Sequence, residues 1–329
     1  MSSTKDHPIL SVIVPTFRRP AMLGKCLKCL CEQRFDHGKY EVIVVDNVGD
    51  EETKEIVNSL TVKGMQDIRF IVEKRRGLHY ARHAGAEVAL GDLLLFTDDD
   101  ILGPHLWLQG IVSSYREEKV VAVGGPISIE WDKAPPAWVR EHEWVLGQLD
   151  HGREWRVLNS REFINGGNFS IRKRYLFEVG GFNPDQVDQI LIGDGETGLC
   201  NKIHARGDLI AWCPFPHVQH QQIAHKNGTL HDLRRRYANN GICAAYQFAI
   251  KEKINHLMIV KRLRRCVPSW SKCNALLICL KIRKGFSNTS EWHKISLQEA
   301  YLRAEIIYLF RCLFDPRIKS VVRRLKWYK

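Results

Sequence analysis

The sequence has no long hydrophobic run. Its apolar stretches fall short of the roughly 18 consecutive residues that a membrane-spanning helix needs, so we predict no transmembrane segment. The apolar run at residues 9–14 is also too short for the hydrophobic part of a secretory signal, and Pro15 ends it. We therefore expect a cytoplasmic protein that is at most peripheral to the inner face of a membrane.

The ten cysteines lack the spacing of a disulfide framework, because they are scattered over 329 residues. Cys26, Cys29 and Cys31 lie close enough together to suggest zinc, but no second Cys/His pair with matching spacing lies nearby. We predict that all ten are reduced thiols and that these three belong to the core side of a helix.

Acidic residues are scarce in the C-terminal third. From residue 225 onward the sequence has 23 Lys and Arg but 6 Asp and Glu, a net charge of +17, whereas the first 224 residues carry −5. Such a basic segment suits an anionic partner, either a membrane surface or a nucleic acid. With 44% hydrophobic residues, the chain can form a packed core. We expect a catalytic domain over residues 7–224 and a helical, basic extension over residues 225–329.

Short apolar runs alternate with helix-like segments in the first hundred residues. Strands are predicted at residues 11–16, 41–46, 68–72 and 93–96, and helices from Pro20, over 53–60 and over about 78–90. This alternation predicts an α/β fold with a doubly wound, mostly parallel sheet. Because ligands collect outside the carboxyl ends of such strands, Thr16, Asp46 and Asp98 should line one pocket.

Three consecutive carboxylates, Asp98, Asp99 and Asp100, follow the apolar run at residues 93–96. Acids so close together repel one another and ionise readily only beside a positive charge. A divalent cation on oxygen ligands is the simplest candidate, with Asp98 and Asp100 on one side. A solvated acidic loop is the alternative.

Five motifs follow one another over about ninety residues: Ser11-Val-Ile-Val-Pro-Thr16, Val44-Val-Asp-Asn47, Gly77 with Ala81-Arg82, Gly91-Asp92, and Phe96-Thr-Asp-Asp-Asp100. Together they resemble the family 2 glycosyltransferases. The resemblance implies a GT-A fold, a nucleotide-sugar donor, a Mn²⁺ or Mg²⁺ ion and inversion at the anomeric carbon. His83 departs from the pattern, because the family usually has Asn after the Ala-Arg pair.

The resemblance also implies a donor site. The residues that would hold the nucleotide-sugar are Thr16, Arg18, Asp46, Arg75 or Arg76, Arg82, Asp98 and Asp99. Asp46 would accept a hydrogen bond from the base, and Asp98 would reach the ribose. Asp100 and His220 would hold the metal ion against both phosphates.

The segment Gly193-Asp-Gly-Glu-Thr-Gly-Leu199 opens a helix. Aligning Thr197 and Leu199 with the family pattern puts Glu196 at the position of the catalytic base. The family usually has Asp there, so Asp194 is a substitute candidate. Either carboxylate could instead simply cap the helix.

Glycines and aromatics suggest where the acceptor and the transferred sugar lie. Gly166, Gly167 and Asn168 match a family loop, and glycine lets the backbone approach a ligand closely. A Trp-rich region follows residue 130, and aromatic rings stack on sugars, so Trp131 is a candidate acceptor contact. These tryptophans could equally cover the sheet.

The C-terminal tail has an apolar stripe beside cations. The stripe consists of Ile318, Val321, Val322, Leu325 and Trp327. Such a helix can lie in a membrane interface, or it can pack on the catalytic domain with a solvated basic face. The pattern leaves both alternatives open.

Two other functions deserve comparison with sugar transfer to a glycan or lipid-linked acceptor. A nucleotidyltransferase can share the sheet and the metal, but no glycine-rich, lysine-bearing loop follows the first strand. A non-catalytic basic protein would bind a membrane or nucleic acid, but the sequence has no RNA-binding or helix-turn-helix signature. We therefore expect a nucleotide-sugar donor as partner and no nucleic acid.

Overall fold

A mostly parallel sheet forms the centre of the fold. The computed structural model describes residues 7–62, 68–187, 190–215, 217–284, 289–324 and 326–327. Its strands are β1 (Leu10–Thr16), β2 (Tyr40–Asp46), β3 (Ile68–Val72), β4 (Leu93–Phe96), β5 (Ile101–Leu102), β6 (Val120–Gly124), β7 (Ile127–Trp131), β8 (Arg156–Val157), β9 (Phe169–Arg172), β10 (Gln186–Val187), β11 (Ile190–Leu191), β12 (Leu209–Trp212) and β13 (Val218–Gln222).

The helices fall into two groups. Those of the N-terminal part are α1 (Pro20–Cys31), α2 (Glu51–Val62), α3 (Leu78–Val88), α4 (Trp107–Ser113), α5 (Ala137–Arg140), α6 (Lys173–Glu178) and α7 (Gly195–Ala205). Those that follow are α8 (Ala224–Asn227), α9 (Leu230–Lys251), α10 (His256–Lys284), α11 (Ser290–Phe314) and α12 (Pro316–Arg323). Short 3-10 turns cover His37–Lys39, Glu143–Leu146 and Gly166–Asn168.

The strand order confirms the predicted doubly wound sheet. In the described residues the largest sheet has eight strands in the order β3-β2-β1-β4-β9-β6-β12-β8. Strands β1 to β4 pair in parallel, whereas β9 runs antiparallel between β4 and β6. The carboxyl ends of β1, β2 and β4 therefore lie at one edge, followed by the predicted site segments.

Apolar side chains of alternate parity cover the two faces of the sheet. In β1, Val12 and Val14 face a cluster that includes Leu27 of α1. Ile13 faces the opposite cluster with Ala81 of α3. Since successive strand residues point to opposite faces, a continuous apolar strand needs helices on both sides. The run of buried residues in β1 is therefore the sequence signal of a three-layer fold.

A second, smaller sheet brings a distant segment to the site. Its order is β5-β13-β7, and His220 of β13 is in register with Ile101 of β5. The turn Asp98-Asp99-Asp100 lies between β4 and β5, so this pairing places His220 beside Asp100. A strand more than a hundred residues later in the chain thus completes the acidic turn.

The long helices α9, α10 and α11 pack together beyond residue 224, as the basic composition and helical pattern predicted. At Gly241 of α9, an added Cβ would overlap the backbone oxygen of Tyr301 of α11, so the glycine permits the close approach. None of the helices in the described ranges combines the length and the apolar character needed to span a bilayer.

The C-terminal apolar stripe packs against the protein. Ile318, Val321 and Val322 of α12 are buried in a cluster with Tyr246 and Tyr308 of α9 and α11. Past α12, the backbone N–H of Trp327 donates to the carbonyl oxygen of Gly180 at 2.9 Å, and Leu325 lies outside the described residues. Of the two alternatives for this stripe, the packed helix is the one seen.

All ten cysteines are free thiols, as predicted. Cys26 and Cys31 are buried on α1, and the thiol of Cys29 lies 3.0 Å from the carbonyl oxygen of Gly103. Burial raises the pKa of the Cys31 thiol to about 11, which disfavours the thiolate that zinc requires. The three therefore serve as core residues.

Gly91, in the Gly91-Asp92 motif before β4, lies where a side chain would not fit. A Cβ added at Gly91 would lie 2.7 Å from the backbone nitrogen of Ser11, which cannot move without disturbing β1. We expect Gly91→Ala to lower the free energy of unfolding by about 1–3 kcal/mol, as overpacking does. Gly24→Ala in α1 is the matched control, since its nearest neighbour would be 3.6 Å away and alanine favours helix. Urea unfolding of both variants checks this; equal stabilities would contradict it.

Candidate active site

A cleft of about 710 Å³ lies at the carboxyl edge of the sheet. Its walls come from the β1–α1 loop, the turn after β4, the segment before α3, strand β13 and helices α8 and α9. The polar residues that line the cleft include Thr16, Arg18, Arg19, Asn47, Arg76, Asp98, Asp99, Asp100, His220, Lys226 and Arg236. With the loop after β2, which carries Asn47, polar groups from seven separate segments thus converge on one concavity.

Arg19 is the positive charge that holds the acidic turn together. Its guanidinium contacts Asp99 Oδ1 at 3.2 Å and Asp100 Oδ2 at 2.8 Å. Thr16 at the end of β1 donates its hydroxyl to Asp99 Oδ2 at 2.7 Å. Pro20 begins α1 immediately after Arg19, which fixes the loop. Neighbouring Arg18 adopts a left-handed φ of 54° and lies over the ring of Phe17.

Asp100 lies between two cations. His220 Nε2 lies 3.1 Å from Asp100 Oδ1, opposite the contact with Arg19. Burial raises the pKa of Asp100, but His220 and Arg19 outweigh it and hold the pKa below its ordinary value. For His220, burial lowers the pKa, and the hydrogen bond and charge of Asp100 reverse that and raise it. Asp100 is therefore an ionised carboxylate with an imidazole beside it.

Asp99 gives up its charge more easily than Asp100. Burial and the charge of Asp100 raise the pKa of Asp99 to about 6, against the attraction of Arg19. The three carboxylates are therefore not equivalent: Asp100 carries the firm negative charge, and Asp99 binds to Thr16 and Arg19.

A buried arginine joins the acidic turn to α7. Arg82 of α3 contacts Glu196 Oε1 at 2.6 Å and Asp98 Oδ1 at 3.3 Å. Its side chain is 3% exposed, whereas those of Glu196 and Asp98 are 29% and 31% exposed, and Asp98 lines the cleft. Arg82 therefore fixes two carboxylates from sequence positions almost a hundred residues apart.

The glycine loop gives Glu196 and Arg82 their space. A Cβ at Gly166 would overlap both the Glu196 carboxylate and the Arg82 guanidinium. Thr97 donates its hydroxyl to the carbonyl oxygen of Gly167 at 3.0 Å, and Asn165 caps the turn by accepting from the Gly167 N–H at 3.0 Å. The loop was predicted to approach the sugar; it lies against the predicted base.

The predicted role of Asp46 in the donor site needs correction. Both oxygens of Asp46 accept backbone N–H groups, from Val48 at 2.9 Å, Gly49 at 3.0 Å and Asp50 at 2.7 Å. Asp46 is fully buried and shapes the loop after β2, so the predicted hydrogen bond to a base is not supported. Asn47 lines the cleft in its place.

Of the paired candidates Arg75 and Arg76, the structure favours Arg76. The Arg75 guanidinium is paired with Glu73 at 2.8 Å and lies over the ring of Tyr80. Arg76, in contrast, lines the cleft beside Gly77. The backbone before α3 turns between the two, so only the second faces the site.

The substitute base Asp194 does not face the cleft. It is 3% exposed at the N-terminus of α7 and accepts a hydrogen bond from Asn183 Nδ2 at 2.9 Å. Burial raises the pKa of Asp194 to about 6. Asp194 therefore orders the loop before α7, whereas the Glu196 side chain is 29% exposed beside Arg82.

Two residues that were predicted to contact the sugar or the acceptor bond to other side chains of the protein. Asn168 is fully buried and accepts from Trp107 Nε1 at 2.9 Å. Trp131 donates from Nε1 to Glu143 at 2.7 Å and packs with Leu233 of α9. Both side chains therefore pack within the fold around the site.

Sequence reasoning missed Arg19, Lys226 and Arg236. The Arg18-Arg19 pair before a helix-starting proline was the available signal for Arg19, but pattern alone does not say which arginine turns inward. Lys226 and Arg236 come from α8 and α9, where the family resemblance fades. Nothing in the sequence links them to β1.

His83, the departure from the family pattern, acts as a buried acceptor. Its Nε2 accepts the backbone N–H of Phe182 at 3.0 Å, and burial lowers its pKa to about 3. The unfolded chain takes up a proton near pH 6.5 while the folded chain does not, so His83 opposes folding increasingly as the pH falls from 6.5 toward 3.

Replacing His83 should therefore flatten the acid side of the stability curve. Between pH 7.5 and pH 5, the free energy of unfolding should decrease in both proteins. We expect the decrease to be about 1–2 kcal/mol smaller in His83→Asn than in the parent. Urea unfolding at both pH values measures this. His7→Asn, at an exposed position, is the control; a parent and His83 variant with identical pH slopes would contradict the assignment.

The comparisons agree with this geometry. The chain is similar to a mannosyltransferase from Pyrobaculum calidifontis, PcManGT, whose structure was solved in complex with GDP-Man and Mn²⁺; the TM-score is 0.64 at 19% identity, covering 94% of this chain and 88% of that one. It is 28% identical over 180 residues to Glycosyltransferase AglE of Haloferax volcanii, covering 54% of this chain and 57% of that protein. It is 27% identical over 228 residues to a glucosyl-dolichyl phosphate glucuronosyltransferase of the same organism, covering 66% and 70%.

The fold and the clustered carboxylates define the class of GT-A glycosyltransferases, in which the solved neighbour also falls. Residues 11–181, about half of the chain, match Glycosyl transferase family 2. The chain belongs to this family. It spans only 57% of the length of the first relative named, so the reaction and the substrates are considered below as proposals.

Proposed function

We propose that this protein transfers a sugar from a nucleotide-diphosphate donor to an acceptor hydroxyl, with inversion at the anomeric carbon. One observation carries the proposal: Arg82 contacts Glu196 and Asp98 together, and Asp98 lines the cleft in which Asp100 also meets His220. The Arg82 guanidinium thus bridges a carboxylate that can take a proton and an acidic turn that suits a cation and a diphosphate.

Asp100 and His220 fit a divalent cation. A carboxylate oxygen and an imidazole nitrogen 3.1 Å apart suit Mn²⁺ or Mg²⁺, and the described residues give buried Asp100 Oδ1 no partner besides that nitrogen. The described residues contain no group of three or more His, Cys, Asp or Glu that could hold a metal alone. Donor phosphates and water would complete the shell, as is usual for Mg²⁺ sites. The bound ion supplies Lewis-acid stabilisation of the leaving diphosphate.

Arg19 gives this site a resting counterion. It now neutralises Asp99 and Asp100, and it stands at the mouth of the cleft with a side chain 52% exposed. With cation and donor bound, the guanidinium is free to turn to a phosphate oxygen, where Arg18, Arg76, Lys226 and Arg236 add positive charge. Thr16, Asn47 and Asp98 remain to orient the nucleoside.

Glu196 is the proposed general base. The acceptor hydroxyl would lose its proton to Glu196 as its oxygen attacks the anomeric carbon from the face opposite the diphosphate. Arg82 holds the carboxylate in position, and Gly166 leaves room beside it. A single displacement of this kind inverts configuration without an enzyme nucleophile, and a positioned base contributes about 10²- to 10⁴-fold.

The acceptor side lies next to the loop at residues 143–149. An added Cβ at Gly147 would lie 3.4 Å from His220 Nδ1, so this loop borders the metal ligand. Trp144 in the same loop is 52% exposed. Names among the relatives point to acceptors on lipid carriers, as in the glucosyl-dolichyl phosphate glucuronosyltransferase. We propose a glycan acceptor, lipid-linked or polymeric, on this side.

A panel of nucleotide-sugars tests the proposal. The full chain is incubated with each donor and Mn²⁺, Mg²⁺ or EDTA, and release of nucleoside diphosphate is measured. We expect metal-dependent release with one donor class. Release of pyrophosphate would instead indicate a nucleotidyltransferase. Absence of turnover and of donor-induced thermal stabilisation with every donor would overturn the proposal.

Trp144 provides a prediction about the acceptor. Replacing Trp144 with Ala removes an exposed aromatic surface beside the site, and we expect the acceptor KM to rise about five- to tenfold, as loss of one aromatic contact does. The donor KM should stay unchanged. Trp144→Phe is the matched variant and should keep most of the affinity; an unchanged acceptor KM in the Ala variant would place the acceptor elsewhere.

A further inference from the structure

Helix α11 carries large apolar side chains on its solvent face. Ile307, Phe310 and Phe314 are spaced i, i+3 and i+7, so they share one side of the helix. Their exposed fractions are 52%, 47% and 75%. We call these three residues the apolar ridge. Two phenylalanines so open to water are a large unpaired apolar surface for a helix whose other side is buried against α9 and α10.

The start of α10 extends this surface. Arg262 of α10 bonds to Glu305 of α11 at 2.6 Å, and Trp270 bonds to Glu299 at 3.1 Å, so the two helices run antiparallel. This register puts Leu257, which is 64% exposed, at the same end of the helix pair as Phe310. A second helix therefore also carries an exposed apolar side chain at this end of the pair.

Cations border the ridge, and few acids offset them. Arg303 and Arg311 lie one turn before and one turn after Ile307, and Arg317 follows at the start of α12. The nearby acids are already paired with arginines: Glu305 with Arg262, Glu299 with Arg234 and Arg303, and Asp315 with Arg311 and Arg317. A net positive charge therefore remains around the ridge.

Helix α10 has the same character along its length. Its 29 residues include eight Lys and Arg and no Asp or Glu. Five of those cations are exposed: Lys261, Arg264, Arg265, Lys272 and Lys281. Exposed apolar side chains, among them Val267, Ile278 and Ile282, lie between them. Apolar groups interleaved with uncompensated cations are typical of helices that lie on anionic lipid.

We propose that the apolar ridge and the cationic face of α10 dock on an anionic lipid surface. Phe310 and Phe314 enter the boundary between headgroups and acyl chains, and the α10 cations bind the headgroups. A second copy of this chain fits the surface poorly, because a symmetric contact would bring like charges together. The inference rests on the proposed function only for the purpose of docking, which is to bring the cleft to a lipid-linked acceptor. Binding to the lipid surface itself needs no nucleotide-sugar donor.

Vesicle co-sedimentation of the full chain tests the proposal. The vesicles are phosphatidylcholine alone or phosphatidylcholine mixed with phosphatidylglycerol. We expect binding to the mixed vesicles that weakens with added salt. Phe310→Ser with Phe314→Ser should reduce the partition coefficient about tenfold or more. Leu90→Ser with Leu106→Ser is the matched control, because these leucines are 49% and 41% exposed outside the ridge, and it should bind like the parent.

A charge variant separates the two contributions. Replacing Lys261, Arg264 and Arg265 with Gln should weaken binding to the mixed vesicles by about fivefold per charge. Thermal unfolding of each variant confirms that the fold is kept. Equal binding of the parent to both kinds of vesicle, or full binding by the Phe310/Phe314 variant, would overturn the proposal.

Other occupants would also show themselves. A concentration-dependent dimer abolished by the Phe310/Phe314 variant, or retention of RNA without vesicle binding, would overturn the lipid assignment. Because the assay contains no nucleotide-sugar, its failure leaves the transferase proposal standing. Conversely, a chain that binds vesicles but shows no donor turnover would support this inference alone.

Discussion

Asp100→Asn will lower kcat/KM for sugar transfer about 10³-fold, equivalent to about 4 kcal/mol of transition-state stabilisation. Asp100 is the ionised acid of the turn, with His220 at 3.1 Å on one side and Arg19 at 2.8 Å on the other. The amide keeps the size and removes the charge that a divalent cation requires. Steady-state kinetics over a Mn²⁺ titration measure the loss.

The control for this variant is Asp150→Asn, at an exposed carboxylate that binds only the local turn in the structure described, at Gly152. It should retain parental activity. Binding gives a second reading: Mn²⁺ should increase the thermal stabilisation that a nucleoside diphosphate gives to the parent, and should fail to do so for Asp100→Asn. Full activity with unchanged Mn²⁺ dependence would remove Asp100 from the metal site.

The sheet was predictable because its signals are local. Continuous apolar runs such as residues 12–15 and 42–45 must be covered on both faces, and helix-like segments between them make the strands parallel. The strand ends then placed Thr16, Asp46 and Asp98 at one edge, and Thr16 and Asp98 line the cleft there. The acidic turn followed from the same logic, since acids after a strand end face the ligand edge.

The errors concern where a side chain points, which local pattern does not determine. Asp46 ends its strand like a ligand-binding acid, but three backbone N–H groups after β2 take both of its oxygens. Asp194 precedes α7 by one residue and turns inward to Asn183. In both cases, unpaired N–H groups or amides nearby bind the carboxylate, and buried donors must be satisfied.

Long-range packing accounts for the rest. Lys226 and Arg236 reach the cleft because α8 and α9 return to the β13 edge, and no spacing rule predicts that return. The apolar stripe at Ile318 and Val322 is covered by α9 and α11. An amphipathic pattern shows that a face will be buried or bound, but its partner depends on tertiary structure.

Glu196→Gln will lower kcat about 10²- to 10⁴-fold while leaving donor affinity nearly unchanged. The amide can still accept a hydrogen bond from Arg82, so the contact seen at 2.6 Å persists in kind, but it cannot take the acceptor's proton. Pre-steady-state and steady-state transfer rates, together with the donor dissociation constant, measure the two effects separately. A variant whose kcat is preserved would show that another group is the base.

Asp194→Asn is the informative partner of that experiment, because the sequence alone left both acids as candidates. Asp194 is buried, its pKa is raised to about 6 by burial, and it bonds to Asn183 within the loop before α7. Its replacement should therefore act on the unfolding free energy, with kcat changed by no more than about threefold. The Glu196 side chain is 29% exposed, and its replacement should have the opposite effect: a large loss in kcat and little change in stability. The two carboxylates are only two residues apart in the sequence. Their opposite effects on kcat and stability would therefore arise from the different directions in which their side chains face. If Asp194→Asn instead lost the larger share of kcat, the base would be the buried acid and the acceptor would have to enter from the α9 side.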